Sequence, residues 1–127
     1  MPDTPAPFLS HFLQNVLVTG GAGYIGSHVI YALQKTRRYK VISLDNYHNS
    51  QPAALALVSQ LSRSELPQNP TPLEIQSTEI DPICCDLTKP DEIRNVFEKY
   101  GKGGIWGVVH IAVCSLAYFW YAMSLTR

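Results

Sequence analysis

No block of basic residues stands anywhere in this sequence. Ten Lys and Arg are matched by ten Asp and Glu, for a formal net charge of zero. A nucleic-acid partner therefore has no electrostatic footprint. Cysteine is scarce: Cys84, Cys85 and Cys114 are the only three. An odd count with two of them adjacent fits neither a disulfide framework nor zinc-ligand spacing, and no metal site is expected. They read as reduced thiols, which points to the cytoplasm. Met1 to Gln14 holds three prolines and no Lys or Arg. A secretory signal needs a basic start, so this stretch is expected to be a loose lead-in. No internal repeat is visible. What remains is a chain of 127 residues, enough for one domain with a real core.

Glycine is placed rather than abundant. Asn15-Val16-Leu17-Val18-Thr19 is a β-branched run that leads straight into glycines at 20, 21, 23 and 26. Ile25, Val29 and Leu33 then recur at helical spacing. The order is strand, tight turn, helix. Gly20 supplies the sharp turn, Gly23 lets backbone approach a pyrophosphate, and Gly26 lets the helix pack close to the sheet. The helix N-terminus offers N–H groups and a partial positive charge to phosphates. A second strand, Tyr39 to Asp45, ends in a carboxylate nineteen residues beyond Gly26. A dinucleotide-binding unit needs an acid there to accept from the adenosine ribose hydroxyls. The same carboxylate repels a 2′-phosphate, and no Arg follows at once, so NAD is favoured over NADP.

Along the chain the pattern predicts strands over 15–19, 40–45, 79–85 and 105–111, and helices over 24–37, 52–65 and 90–100. Arg37 and Arg38 close the first helix, where cations suit the negative end of its dipole. Pro67 to Pro72 reads as a surface loop. Pro90-Asp91-Glu92 opens the last helix and Gly101 ends it. Alternating strands and helices imply right-handed crossovers and an α/β, Rossmann-type, doubly wound parallel sheet. It is expected to stop after about four strands, where the complete fold has about six in the order 3-2-1-4-5-6. The expected division is a lead-in over 1–13, a partial NAD-binding unit over 14–112 and a divergent apolar tail over 113–127.

Four stretches carry a resemblance. Thr19 to His28, Leu44-Asp45-Asn46-Tyr47-His48-Asn49-Ser50, Cys85-Asp86-Leu87-Thr88 and Val108-Val109-His110-Ile111-Ala112 resemble the N-terminal part of the UDP-glucose 4-epimerase family. That family belongs to the extended short-chain dehydrogenase/reductase superfamily, and residues 51–80 and 97–107 look most like its fungal members. The resemblance implies that Tyr24 and Ile25 meet the pyrophosphate through their backbone. Asp45, Asn46, Asn49 and Ser50 would hold the adenine ribose. Asp86 and Leu87 would meet the adenine, although Asp86 also reads as a carboxylate opening a helix. Ile111 and Ala112 would line the cofactor crevice. His110 is open to two readings, a hydrogen-bonded histidine at the strand end or a catalytic group.

In that family NAD takes hydride from C4 of a UDP-hexose and returns it to the other face, while a Tyr-x-x-x-Lys pair and a Ser or Thr carry the proton. Those residues lie beyond the matched part. The Tyr-x-x-x-Lys of Tyr31 and Lys35 falls on the first helix and reads as a core-edge tyrosine beside a solvated lysine. The chain is therefore expected to bind NAD without turnover, with UDP-sugar bound, and a dimer formed, only in a full-length form. Two alternatives stay open: another NAD-dependent nucleotide-sugar epimerase or dehydratase, and a non-catalytic NAD-binding module with a membrane-associating tail.

After Ala112 the resemblance ends abruptly. Ser115 stands where the family has a Lys. Intron read-through is one account, since Val113-Cys114 can be encoded by a common fungal splice-donor sequence. A membrane anchor is the other, since Ile105 to Leu125 has no Lys, Arg, Asp or Glu. His110 within that run argues against lipid burial.

Overall fold

The computed structural model describes residues 12–48 and 50–112. Asn49 and the tail over 113–127 lie outside the described residues, as do the readings placed on them.

Four parallel strands form one sheet, β1 (Gln14–Thr19), β2 (Tyr39–Asp45), β3 (Ile80–Cys84) and β4 (Gly107–His110), in the order β3-β2-β1-β4. The helices are α1 (Tyr24–Lys35), α2 (Ala53–Ser64), α3 (Pro72–Gln76) and α4 (Pro90–Tyr100). β1 and β2 lie inside the sheet, with Val16 to Thr19 and Val41 to Leu44 buried. Such strands need continuous apolar runs because both faces are covered. Pro82 is confined to β3, an edge strand, where a missing N–H is tolerated.

Side-chain alternation splits the core in two. On one face Leu17, Ile42 and Leu44 pack with Ile93 and Val96 of α4. On the other, Val16, Val18 and Val41 pack with Ile30 of α1 and Leu55 of α2. Each such side chain contributes about 1.5–3 kcal/mol when fully buried. Gln34 is a buried polar residue in the second layer. Its Nε2 donates to the Thr78 carbonyl at 3.0 Å, and its Oε1 accepts from Ser62 Oγ at 2.5 Å. Both ends of the amide are satisfied, so it ties α1, α2 and the approach to β3 together.

Three boundaries depart from the sequence expectation. α1 ends at Lys35 rather than at 37, because Arg37 takes φ 60° and turns the chain back. That reversal lets Gln14 N–H reach the Arg38 carbonyl at 3.2 Å and sets β2 beside β1. Arg37 still serves the helix end, donating to the Gln34 carbonyl at 2.9 Å. The expected loop ends in a short helix, α3. Thr71 Oγ1 accepts from Glu74 N–H at 3.1 Å while Glu74 accepts from Thr71 N–H at 2.9 Å, and Pro72 fills the first position. β4 is shorter than 105–111. Before it, Asn15 takes the backbone, accepting Trp106 N–H at 2.8 Å and donating to the Gly104 carbonyl at 2.8 Å. After it, the amides of Ile111 and Ala112 turn to the Thr19 hydroxyl and leave the ladder. Among the described residues no helix is long and apolar enough to cross a membrane.

Candidate functional site

In the order β3-β2-β1-β4 the strands β2 and β3 are added on one side of β1 and β4 on the other, so the strand order switches between β1 and β4. Ligands of open α/β sheets bind at such a switch point, outside the carboxyl ends of the strands. A crevice of about 520 Å³ opens there. Its walls are the turn after β1, the ends of β2 and β3, and the residues just past β4.

The turn is built by sterics. Gly20 adopts φ +70°, a conformation that favours glycine, and a Cβ there would press on the Ala112 backbone at 3.2 Å. Gly21, given no separate role in the motif reading, proves equally constrained. A Cβ there would overlap Ser43 Oγ and Ile30 Cδ1, so this turn lies directly on β2 and α1. At Gly26 a Cβ would run into the Gly20 carbonyl, so its small size lets α1 close on the turn that leaves β1. Above Gly23 a Cβ would find only the Gly20 carbonyl oxygen, at 3.4 Å. Gly23 is the N-cap of α1 and no side chain caps it. The first-turn N–H groups of Tyr24, Ile25 and Gly26 lack intrahelical partners and stand at the crevice wall. Tyr24 and Ile25 also line the crevice and are 81% and 62% exposed.

Asp45 closes the far side of the turn. Its Oδ2 accepts Ala22 N–H at 3.1 Å and its Oδ1 accepts Tyr47 N–H at 2.8 Å. One carboxylate thus latches the glycine turn to the end of β2, with lone pairs remaining on both oxygens. Tyr47 has φ 59°, held there by this bond. Burial, and the nearby Asp45, push the Tyr47 hydroxyl above its usual pKa. Asn46 lines the crevice, but its Oδ1 accepts His48 N–H at 2.9 Å. Ser50 is also at the crevice, and its buried Oγ has no hydrogen-bond partner among the described residues. A buried hydroxyl left open in this way suits a polar ligand.

Asp86 is tied into the entry to α4 and also lines the crevice. Its Oδ1 accepts from Thr88 N–H at 2.9 Å and from the Thr88 hydroxyl at 2.6 Å, a turn that opens α4. These bonds hold its carboxyl below the usual pKa. It also borders the crevice beside buried Leu87. Ile111 and Ala112 complete the wall. Sequence reasoning missed His48, Thr88 and Cys85 on the wall, and Thr19 behind it. Only Thr88 carried a signal, as the third residue of an Asp-x-Thr turn.

Tyr31 and Lys35 are not at this crevice. The Tyr31 hydroxyl donates to Glu65 at 2.7 Å, and that bond raises its pKa. A tyrosine that must give up a proton in catalysis needs the opposite shift. Among the described residues no group of His, Cys, Asp and Glu could hold a metal.

The profile of the "NAD dependent epimerase/dehydratase family" matches residues 16–121. UDP-glucose 4-epimerase 3 of Oryza sativa is 39% identical over 83 residues, covering 65% of this chain and 19% of the relative. The Homo sapiens UDP-glucose 4-epimerase is 32% identical over 99 residues, covering 78% of this chain and 25% of the relative. The crystal structure of the Bifidobacterium longum UDP-glucose 4-epimerase in complex with NAD+ and UDP superposes with a TM-score of 0.66 at 27% identity. It covers 89% of this chain and 34% of that one. The chain thus spans about a fifth to a third of the proteins it matches. On the fold, the glycine turn and these matches, the chain belongs to the NAD dependent epimerase/dehydratase family and corresponds to the N-terminal, NAD-binding region of UDP-glucose 4-epimerases.

Proposed function

We propose that residues 14–112 bind NAD as the cofactor-binding part of a UDP-glucose/UDP-galactose 4-epimerase. The observation that carries this reading is the crevice itself: uncapped α1 amides on one wall and the Asp45 carboxylate on the other. The residues present fit the cofactor. Amides of Tyr24 and Ile25, above the open face of Gly23, suit the pyrophosphate. Free lone pairs of Asp45 and the open Ser50 hydroxyl suit the adenosine ribose. Asn46 lines the same crevice, and the family resemblance assigns Asn49 to the ribose as well. Asp86 offers an acceptor to the adenine amine and Leu87 an apolar surface to its ring. Bound NAD supplies reversible hydride transfer at C4 of the sugar, while the walls at Ile111 and Ala112 hold water away from it.

Among the described residues the Tyr-x-x-x-Lys pair is not at this crevice: Tyr31 donates to Glu65, and Lys35 lies over the Tyr31 ring. The 127-residue chain is therefore a cofactor-binding polypeptide without turnover, and UDP-sugar and dimer contacts belong to a longer form. The exposed Cys84 thiol, outside any disulfide, favours a reducing compartment such as the cytoplasm. Isothermal titration of the purified chain should show NAD binding, with NADP weaker. An assay free of host enzyme should show no interconversion of UDP-glucose and UDP-galactose. Absence of NAD binding would overturn the first half of the proposal, and measured interconversion the second.

A further inference from the structure

The end of β4 is fastened to β1 by one hydroxyl. Thr19, fully buried, places Oγ1 2.9 Å from Ile111 N and 3.2 Å from Ala112 N. The same oxygen lies 2.8 Å from His110 Nδ1. A threonine hydroxyl has two lone pairs and one proton. The two amides occupy the lone pairs. The proton remains for Nδ1, which must therefore accept it. Counting donors in this way assigns a neutral imidazole with its ring proton on Nε2. Burial, which pulls the His110 pKa below its usual value, acts in the same direction. The titratable side chains on this face of the sheet include Cys85, just past β3, Tyr100 of α4, and the Lys99–Asp81 ion pair that joins α4 to β3 at 3.4 Å.

We propose that Thr19 and His110 are positioning residues that hold Ile111 and Ala112 in the cofactor crevice, and that they release this wall when His110 takes a second proton. The inference rests on the NAD-binding reading above. A proton on Nδ1 converts the acceptor into a donor. Three donors then converge on one oxygen, and the hydroxyl proton of a buried residue loses its acceptor. One of the two amides must let go to relieve this. Both belong to the crevice wall, and Ala112 also lies against the turn at Gly20. NAD affinity should therefore fall as the medium becomes acidic, by at most about tenfold per pH unit for a single proton.

Two further histidines, His28 and His48, are described, and His48 borders the crevice, so the discriminating variants act on the clasp alone. In His110→Asn the side-chain carbonyl takes the place of Nδ1 and accepts at every pH. Thr19→Ser keeps the hydroxyl. NAD affinity is measured by titration of the full chain at about pH 7.5 and about pH 5.5, on either side of the usual histidine pKa. The wild-type chain and Thr19→Ser should bind measurably more weakly at the lower pH, by less than about tenfold because burial holds the His110 pKa below its usual value. His110→Asn should bind NAD with the same affinity at both pH values, whatever that affinity is. A wild-type affinity that is flat across this range would overturn the inference, as would an undiminished acid loss in His110→Asn. Wild-type chain that binds no NAD at the higher pH would instead overturn the NAD-binding reading on which the inference stands.

Discussion

At the scale of single residues, Asp45 has two duties. As a latch it accepts Ala22 N–H and Tyr47 N–H, and it lines the crevice, where it is proposed to accept from the adenosine ribose. Asp45→Ala removes both. NAD affinity should drop by about 1–3 kcal/mol, the usual result of stranding polar partners. The unliganded fold should also lose stability, because two amides lose a charged acceptor. A denaturant titration without cofactor measures the second effect and a binding titration the first. A variant as stable as wild type, but weak in binding, would mean that the latch contributes nothing and only the ligand role is real. The position of Asp45 was legible, since a carboxylate after a second strand is part of the glycine-turn pattern. Its bond to Ala22 was not, because it joins residues from two strands that meet only once the sheet is formed.

Elements follow from local sequence wherever local rules meet no competition. α4 begins at Pro90 and ends at Tyr100, with Asp91 and Glu92 in its first turn and Gly101 after it, where the composition put it. α3 shows a local signal left unread. Thr71-Pro72-Leu73-Glu74 contains both members of a capping box, but the prolines nearby suggested only a loop. Thr71→Ala should destabilise the chain by about 1 kcal/mol, the usual result of losing an N-cap. Helical circular dichroism should barely change, because α3 is one turn long and only the melting temperature registers the loss. A melting temperature equal to that of wild type would show that α3 is held by packing rather than by its cap. The ends of α1 and β4 belong to the other kind. Arg37 reverses the chain so that β2 can pair with β1, and the Thr19 hydroxyl draws off the amides that would extend β4. No local propensity records either event.

For the whole molecule, the open question is the outer edge of β4. Among the described residues β4 pairs only with β1, and Gly107 to His110 carries no gatekeeping charge. Trp106, just before it, is 60% exposed and stacks on Tyr39 at 5.7 Å. An uncharged edge of this kind is a template for pairing between chains. The purified 127-residue chain should self-associate, seen as early elution in size-exclusion chromatography. A chimera that continues with a related epimerase's own sequence should elute as a defined species, because further strands cover the edge. A monodisperse, cooperatively melting monomer of the 127-residue chain would show that the edge is already protected.

The sequence by itself determined the strand–turn–helix–strand order, the placing of Gly20 and Gly23, and the carboxylate at Asp45. These are local demands: a left-handed turn, a close backbone approach, an acid at a strand end. Each is met by residues near one another in the chain. Only the tertiary structure decided that Gly21 must be small and that Thr19 holds the end of β4. It also gave Asp45 the Ala22 amide to bind. Each of these depends on atoms from strands far apart in sequence. Their hydrogen bonds and van der Waals limits come into being only when parallel strands are set side by side and their ends converge on one crevice.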